Sequence, residues 1–300
     1  MLTARLGISP IAWWNDDFDS LGVDVCLQQC LRDVQVAGFS GIETARRFPT
    51  TTAVLQPLLA EFGLAICGGW FAGQLLVNDL DTEKCRMAEQ LALFKAMDAP
   101  CLVYGETANS IQGDLHAPLS AKPTLDAAAL KTYGRKLTLL AAWCLDQGVP
   151  LAFHPHVGAV IECEQELDQL MAATDQPLGL VLDTGHIALT GGDVLQVISH
   201  HHERIIHVHA KDVRRPIVDA LVPERDSFLD AVCRGVFTVP GDGALNLSAI
   251  IQRLAAHRYQ GWFVVEAEQD PIAHPPAQMA SQGYQAMHRA LTAAGYSIHR

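Results

Sequence analysis

The stretch LGLVLDTGHIALTGGD, residues 178–193, starts as a short apolar run, reaches Asp183, and places His186 three residues later. A second stretch, RIIHVHAKD (204–212), carries His207, His209, Lys211 and Asp212 on an otherwise apolar background. Near-continuous apolar runs of this length read as strands of a parallel sheet, buried on both faces. Carboxylates and imidazoles gathered where buried strands end need a common cause, and the rest of the chain supplies one.

Six more runs of the same kind occur: RLGISPI (5–11), GIET (41–44), LAICGGW (64–70), CLVYGE (101–106), VPLAFHPH (149–156) and GWFVVEAEQD (261–270). Between most of them lie segments of helical period. VCLQQCLRDVQVAG (25–38) has apolar residues three and four apart and stops at Gly38. DTEKCRMAEQLALFKAMDA (81–99), LDAAALKTYGRKLTLLAAWCLDQG (125–148) and LSAIIQRLAAHRYQG (247–261) read likewise. Eight strand–helix units predict an α/β fold, a (β/α)8 TIM barrel, with residues 1–300 as one domain and no linker. In a barrel, residues pointing inward at the C-terminal strand ends converge on one cavity. The long irregular segments 106–125 and 213–246 both follow a strand and are expected over that face. RDSFLDAVCRG (225–235) is predicted as a short helix and PGDG (240–243) as a turn.

The composition narrows the function classes. At 49% hydrophobic residues the chain can bury a large core, and a net charge of -12 without a Lys/Arg run disfavours a nucleic-acid partner. The eight cysteines form no CxxC pair and sit mostly in apolar runs, which predicts free thiols in a reducing compartment. The first residues lack the apolar core of a signal peptide, and no run suits a bilayer span. The expectation is a cytoplasmic enzyme without a membrane partner.

Side chains alternate along a strand, so His154 and His156 share one face. So do His207, His209 and Lys211, and so do Glu266 and Glu268, while Asp183 ends the sixth strand. Any one of these histidines alone reads as an ordinary hydrogen-bonded residue. Four consecutive strands in agreement point to a divalent ion such as Mn²⁺, Co²⁺, Zn²⁺ or Mg²⁺. The lack of thiolates at these positions argues against a structural zinc site.

DTGH, HVHAKD and GWFVVE resemble the sugar isomerase/epimerase superfamily with the xylose isomerase-like barrel. The ordered set SPIAWWNDDFDSLG, AGFSGIE, SIQG, HVHAKDVR, FTVPGDG and VVEAEQDP resembles the inosose dehydratases across nearly the whole chain. The resemblance implies one divalent ion held by strands five to eight. Asp183 and His209 match two ligands and Glu266 a third, with Glu268 as its alternative. The wider superfamily usually has Glu on the fifth strand, whereas this chain has His154, with His156 two residues on. His186 matches a substrate-contacting histidine, and Arg214 or Arg215 a substrate-binding arginine.

The implied reaction is dehydration of 2-keto-myo-inositol (scyllo-inosose), a polyol ketone, to a trihydroxycyclohexane-1,2-dione through a metal-stabilised ene-diolate. In it Glu266 or His154 would transfer a proton, and His186 and Lys211 would serve the substrate oxygens or the leaving hydroxide. The resemblance also implies cobalt or manganese and a glutathione requirement, and, since barrels of this group often form dimers or tetramers, a homo-oligomer by analogy. Glu43 and Glu106 are candidates for binding hydroxyls, with a solvated carboxylate as the equal alternative. Trp14 and Trp70 are candidate walls for a polyol ring, against plain packing. The alternatives are a sugar or inosose isomerase/epimerase on the same ion, a 3-dehydroshikimate-type dehydratase, and a non-catalytic polyol- or metal-binding barrel. The last would be expected to have lost a convergent ligand.

Overall fold

The computed structural model describes residues 2–18 and 20–299. Strands β1 (Leu2–Ile8), β2 (Gly41–Thr44), β3 (Ala65–Gly73), β4 (Leu102–Glu106), β5 (Leu151–Phe153), β6 (Leu178–Asp183) and β7 (Ile205–Ala210) lie side by side in chain order. After them come β8 (Asp212–Val213), β9 (Phe237–Thr238), β10 (Gly261–Val265) and β11 (Tyr296–His299). β10 pairs with β7 on one edge and with β1 on the other, so eight parallel strands close into the expected barrel. β11 adds a parallel pairing to the start of β1. The antiparallel hairpin β8–β9 stands outside the barrel wall.

Each predicted strand is present, the second with its predicted bounds and the others with shifted ends. The fifth is the shortest, because Pro155 has no N–H for a ladder bond. His154 still donates its backbone N–H to Tyr104 O, 2.8 Å away, so its side chain is held at the barrel mouth. Helix Leu27–Ala37 buries Cys30, Leu31 and Val34 on one stripe. It stops at Gly38, whose φ of 106° suits only glycine comfortably. Helices Ala127–Asp146 and Leu247–Ala256 fall inside their predicted segments, and Leu80–Ala96 begins one residue before its own.

The barrel interior is filled, not open. Trp262 occupies the lower part, and Gly7 and Gly41 make room for it. A β-carbon on Gly41 would stand 2.5 Å from the indole, and one on Gly7 3.3 Å. Over the opposite end lies the long connection after β8. It contains the predicted short helix, observed at Phe228–Cys233, and packs Phe228 and Phe237 into a small apolar cluster of their own. PGDG is a turn wrapped round buried Asp212, which accepts from the N–H groups of Val213, Gly241 and Leu245.

Candidate active site

A cavity of about 210 Å³ opens at the C-terminal strand ends. Its lining includes His154, His156, His186, His209, Lys211, Glu266 and Glu268, with Trp70 as an aromatic wall. All the polar groups among them are at least nine-tenths buried.

The DTGH motif shows how local structure builds the site. Asp183 ends β6 and caps the helix Thr184–Leu189, accepting the His186 N–H on Oδ1 at 2.8 Å. Its other oxygen, Oδ2, has no hydrogen-bond partner. Thr184 Oγ1 donates to the Lys211 carbonyl and accepts the Lys211 N–H at 3.0 Å, which clamps β7 to β6. Gly185 clears a path for the lysine stem, since a β-carbon there would lie 2.5 Å from Lys211 Cγ.

Two clusters result. In the first, His154 Nε2 lies 3.3 Å and His209 Nδ1 3.6 Å from Asp183 Oδ2, and Glu266 Oε2 is 2.8 Å from His209 Nδ1. One donor atom from each of these four residues falls within 4.8 Å of the others. Asp183 Oδ2, His209 Nδ1 and Glu266 Oε2 all lack a hydrogen-bond partner. Buried polar atoms normally find one, so three such atoms facing a common point fit a bound cation. The donor set of two imidazoles and two carboxylates suits a divalent transition ion. These residues could therefore hold a metal.

The second cluster lies alongside. Glu268 is 3.6 Å from His156 Nε2, 3.7 Å from His186 Nε2 and 2.8 Å from Lys211 Nζ. Lys211 also reaches Glu266 at 3.1 Å and Asp183 at 3.4 Å, so a single ammonium joins the two clusters. Burial disfavours the charged form of Glu268, but Lys211 and His156 overcome it and pull the carboxyl down to about 2. Burial likewise opposes the charge on Lys211, and its three carboxylate neighbours raise it above the usual lysine range.

The histidines divide by environment. Burial, with Lys211 nearby, holds His186 well below the usual imidazole range. Its Nδ1 accepts the Val157 N–H at 3.2 Å, so the neutral ring carries its proton on Nε2, which has no partner. Burial lowers His154 too. His156 goes the other way: burial opposes its charge, but the Glu268 carboxylate raises it. His156 Nδ1 lies 2.8 Å from the Val157 carbonyl, so it donates there and leaves Nε2 toward Glu268.

Four expected substrate contacts are not at the cavity. Glu106 is buried and saturated by the N–H groups of Leu75, Leu76 and Ala108, so it braces the β3 and β4 loops. Trp14 lies 1% exposed under Arg47 and against Phe48. Arg214 is spent on the Gly235 and Phe237 carbonyls and on Asp242. Arg215 points to solvent, paired with Asp219 one turn along. Glu43 lines the cavity floor, but its Oε1 is already engaged by His207 and His209 at 2.9 and 3.1 Å.

One cavity group escaped the sequence reading. Asp17 is held by Gln112 Nε2 at 3.1–3.2 Å, and burial pushes its carboxyl up. The adjacent Asp16 also lines the cavity. The only signal was NDD at 15–17, between the first strand and the first helix, a composition that reads as a turn. Asn15 does make that turn, accepting the N–H groups of Asp17 and Phe18.

Residues 31–290 match the profile of the xylose isomerase-like TIM barrel family. The rhizopine catabolism protein MocC of Rhizobium meliloti is 39% identical, over 99% of this chain and 92% of its own length. An inosose dehydratase of Geobacillus thermodenitrificans is 38% identical, over 94% of this chain and 95% of its own length. The chain thus belongs to the xylose isomerase-like TIM barrel family, within the group that holds the inosose dehydratases. Among solved structures, the IOLI protein with a bound zinc atom superposes with a TM-score of 0.67 over 97% of each chain, at 15% identity. The probable 3-DHS dehydratase AsbF from Bacillus anthracis superposes at 0.69, covering 95% of this chain and 98% of that one, at 12% identity. At such identities the structural likeness shows the fold alone.

Proposed function

We propose that this protein dehydrates scyllo-inosose to a trihydroxycyclohexanedione with the help of a divalent ion held by His154, Asp183, His209 and Glu266. The observation that carries the reading is the convergence, beside His154, of three donor atoms that make no hydrogen bond, in a buried, small-molecule-sized cavity. The full-length likeness to inosose dehydratases selects the substrate class. A divalent ion there supplies Lewis-acid stabilisation for the negative charge that develops on the ketone oxygen.

The chain's own groups supply the proton transfers. Glu266 takes the proton from the carbon next to the carbonyl, and the electron pair left behind forms the enolate double bond. The bond from the next carbon to its hydroxyl then breaks. His156, kept protonated by Glu268, gives that hydroxyl its proton and releases water. The enol tautomerises to the second ketone. Neutral His186 donates its free Nε2–H to a substrate oxygen. Lys211 holds Glu266 and Glu268 apart at fixed distances. Trp70 offers an apolar wall to the ring. Mn²⁺ or Co²⁺ is the proposed ion.

A second reading keeps the chemistry and changes the substrate. The relative at 39% identity is named for rhizopine catabolism, which favours a different ketone entering the same elimination. The deciding assay gives chelator-stripped protein scyllo-inosose with and without Mn²⁺ or Co²⁺. Ultraviolet absorbance follows the enolised dione and proton NMR identifies the product. Metal-dependent dione is the expected result. Deuterium uptake without dione would move the activity to isomerisation, and no change would favour the second reading.

A further inference from the structure

Beneath the four-residue cluster lies a pair of buried groups that touches none of the three other proposed ligands. Glu43 is 4% exposed and His207 is fully buried, and neither is paired with His154, Asp183 or Glu266. Glu43 Oε1 accepts from His207 Nε2 at 2.9 Å and from His209 Nε2 at 3.1 Å. His209 thus has one nitrogen committed downward and the other, Nδ1, facing Asp183 and Glu266 without a hydrogen-bond partner.

The backbone is shaped to permit this. The register of β2 against β3 shifts between Ile42 and Glu43. The register of β6 against β7 shifts where Val181 comes to face His207. Such irregularities re-aim a side chain at a chosen point of a barrel wall. Opposite them Gly68 holds a φ of +151°, and a β-carbon there would stand 2.9 Å from Glu43 Oε1 and 3.3 Å from His207. Two register shifts and a glycine in a left-handed conformation coincide at one buried carboxylate. An apolar filler would avoid the desolvation penalty of a buried ion pair, so stability alone does not account for this arrangement.

We propose that Glu43, braced from behind by His207, is a positioning residue that holds His209 in the tautomer with the proton on Nε2, so that the Nδ1 lone pair is presented to a divalent cation. The inference rests on the proposed ion site and deepens it. A carboxylate on the far nitrogen of a metal-binding imidazole fixes the ring and raises its basicity, and its loss typically costs about 10–100-fold in metal affinity. His207 reaches the cavity through its hydrogen bond to Glu43 and through its ring, which stands edge-on to His209 at a centroid distance of 5.3 Å, so both of its contacts bear on the placement of His209.

The test uses the full chain stripped of metal. Co²⁺ affinity is measured by competition with a chromophoric chelator, the visible spectrum of bound Co²⁺ reports its coordination, and histidine ¹⁵N shifts report the His209 tautomer. Glu43→Leu should weaken Co²⁺ binding by about 10–100-fold, change the spectrum and shift the tautomer. Glu43→Gln keeps a neutral acceptor and should recover part of the loss. His207→Gln should weaken binding in the same direction by a smaller factor. A folded Glu43→Leu protein with wild-type affinity, spectrum and tautomer overturns the proposal. If that variant does not fold, unchanged Co²⁺ binding and tautomer in His207→Gln overturn it instead. Wild-type protein that binds no Co²⁺ overturns the ion site itself, an outcome distinct from either.

Discussion

Asp183 does two jobs with two oxygens: Oδ1 caps a helix and Oδ2 faces the proposed ion site. These can be separated. Asp183→Ala should lose both, and Asp183→Asn should keep a cap acceptor while losing the anionic donor. Both variants should bind Mn²⁺ or Co²⁺ more than about 100-fold more weakly, because groups that only hydrogen-bond to a ligand already carry about 10–100-fold. In thermal unfolding, the alanine variant should be about 1 kcal/mol less stable than the asparagine variant. Equal stabilities would remove the capping role, and an alanine variant that retains metal would remove the ligand role. DTGH and HVHAK were readable as a site because strand periodicity aimed their polar groups one way. What could not be read was that Gly185 is there for Lys211, since that contact joins residues 26 apart in the chain.

Among the elements, β4 and β3 meet through a clearance as tight as any in the barrel. A β-carbon on Gly105 would lie 1.8 Å from the Trp70 ring, whose other side faces His154 and His156 at centroid distances of 5.5 and 5.6 Å. A ring pushed by that β-carbon would press on the cavity it lines. Gly105→Ala should cost about 1–3 kcal/mol of stability and raise KM more than it lowers kcat. An unchanged KM would show that Trp70 does not wall the substrate. A second element-scale prediction concerns the helix Glu164–Ala172. Glu166 accepts the N–H groups of Glu162 and Cys163 and pairs with Lys122 from the loop after β4. Burial opposes its ionisation, but these partners win and hold it below the usual carboxylate range. Its stabilisation is therefore fully present above the unfolded value of about 4.3, and fades as pH falls through the lower folded value. Glu166→Gln should lower stability by about 0.5–1 kcal/mol at pH 7, after allowance for solvent screening, and the gap from wild type should close below about pH 4. A gap that does not narrow as pH falls below about 4 would contradict the ionic origin.

At the scale of the whole molecule, the ion site ties together β5, β6, β7 and the turn after β10, four neighbours in the closed barrel. A cation bound only by the folded chain stabilises it through mass action, by about 2.7 kcal/mol at a hundredfold excess over Kd. Calorimetry should show Tm rising with Co²⁺ and falling back on chelation, and the shift should vanish in Asp183→Ala. A Tm indifferent to divalent ions would leave the orphaned donors without an occupant. Among the described residues no helix is long and apolar enough to cross a membrane, in keeping with the absence of such a run from the sequence.

The succession of eight apolar runs was sufficient for the barrel, because burial on both faces and helical period are local properties of the chain. The same periodicity brought His154, Asp183, His209 and Glu266 to one end, since alternation and a strand's end are counted along the sequence. Other matters needed the third dimension. Glu43 and Glu106 look alike in sequence, each at the end of an apolar run. Only the register shift at Ile42/Glu43 and the backbone amides after β3 separate a group beneath the ion site from a loop brace. Arg214 and Arg215 follow the HVHAKD motif closely, yet the β8–β9 hairpin turns one onto carbonyls and the other into water. Asp17 became a cavity group because Gln112, 95 residues away, reaches it. Hydrogen bonds and clearances between distant segments depend on how strands register against one another, and no spacing within a single segment encodes that.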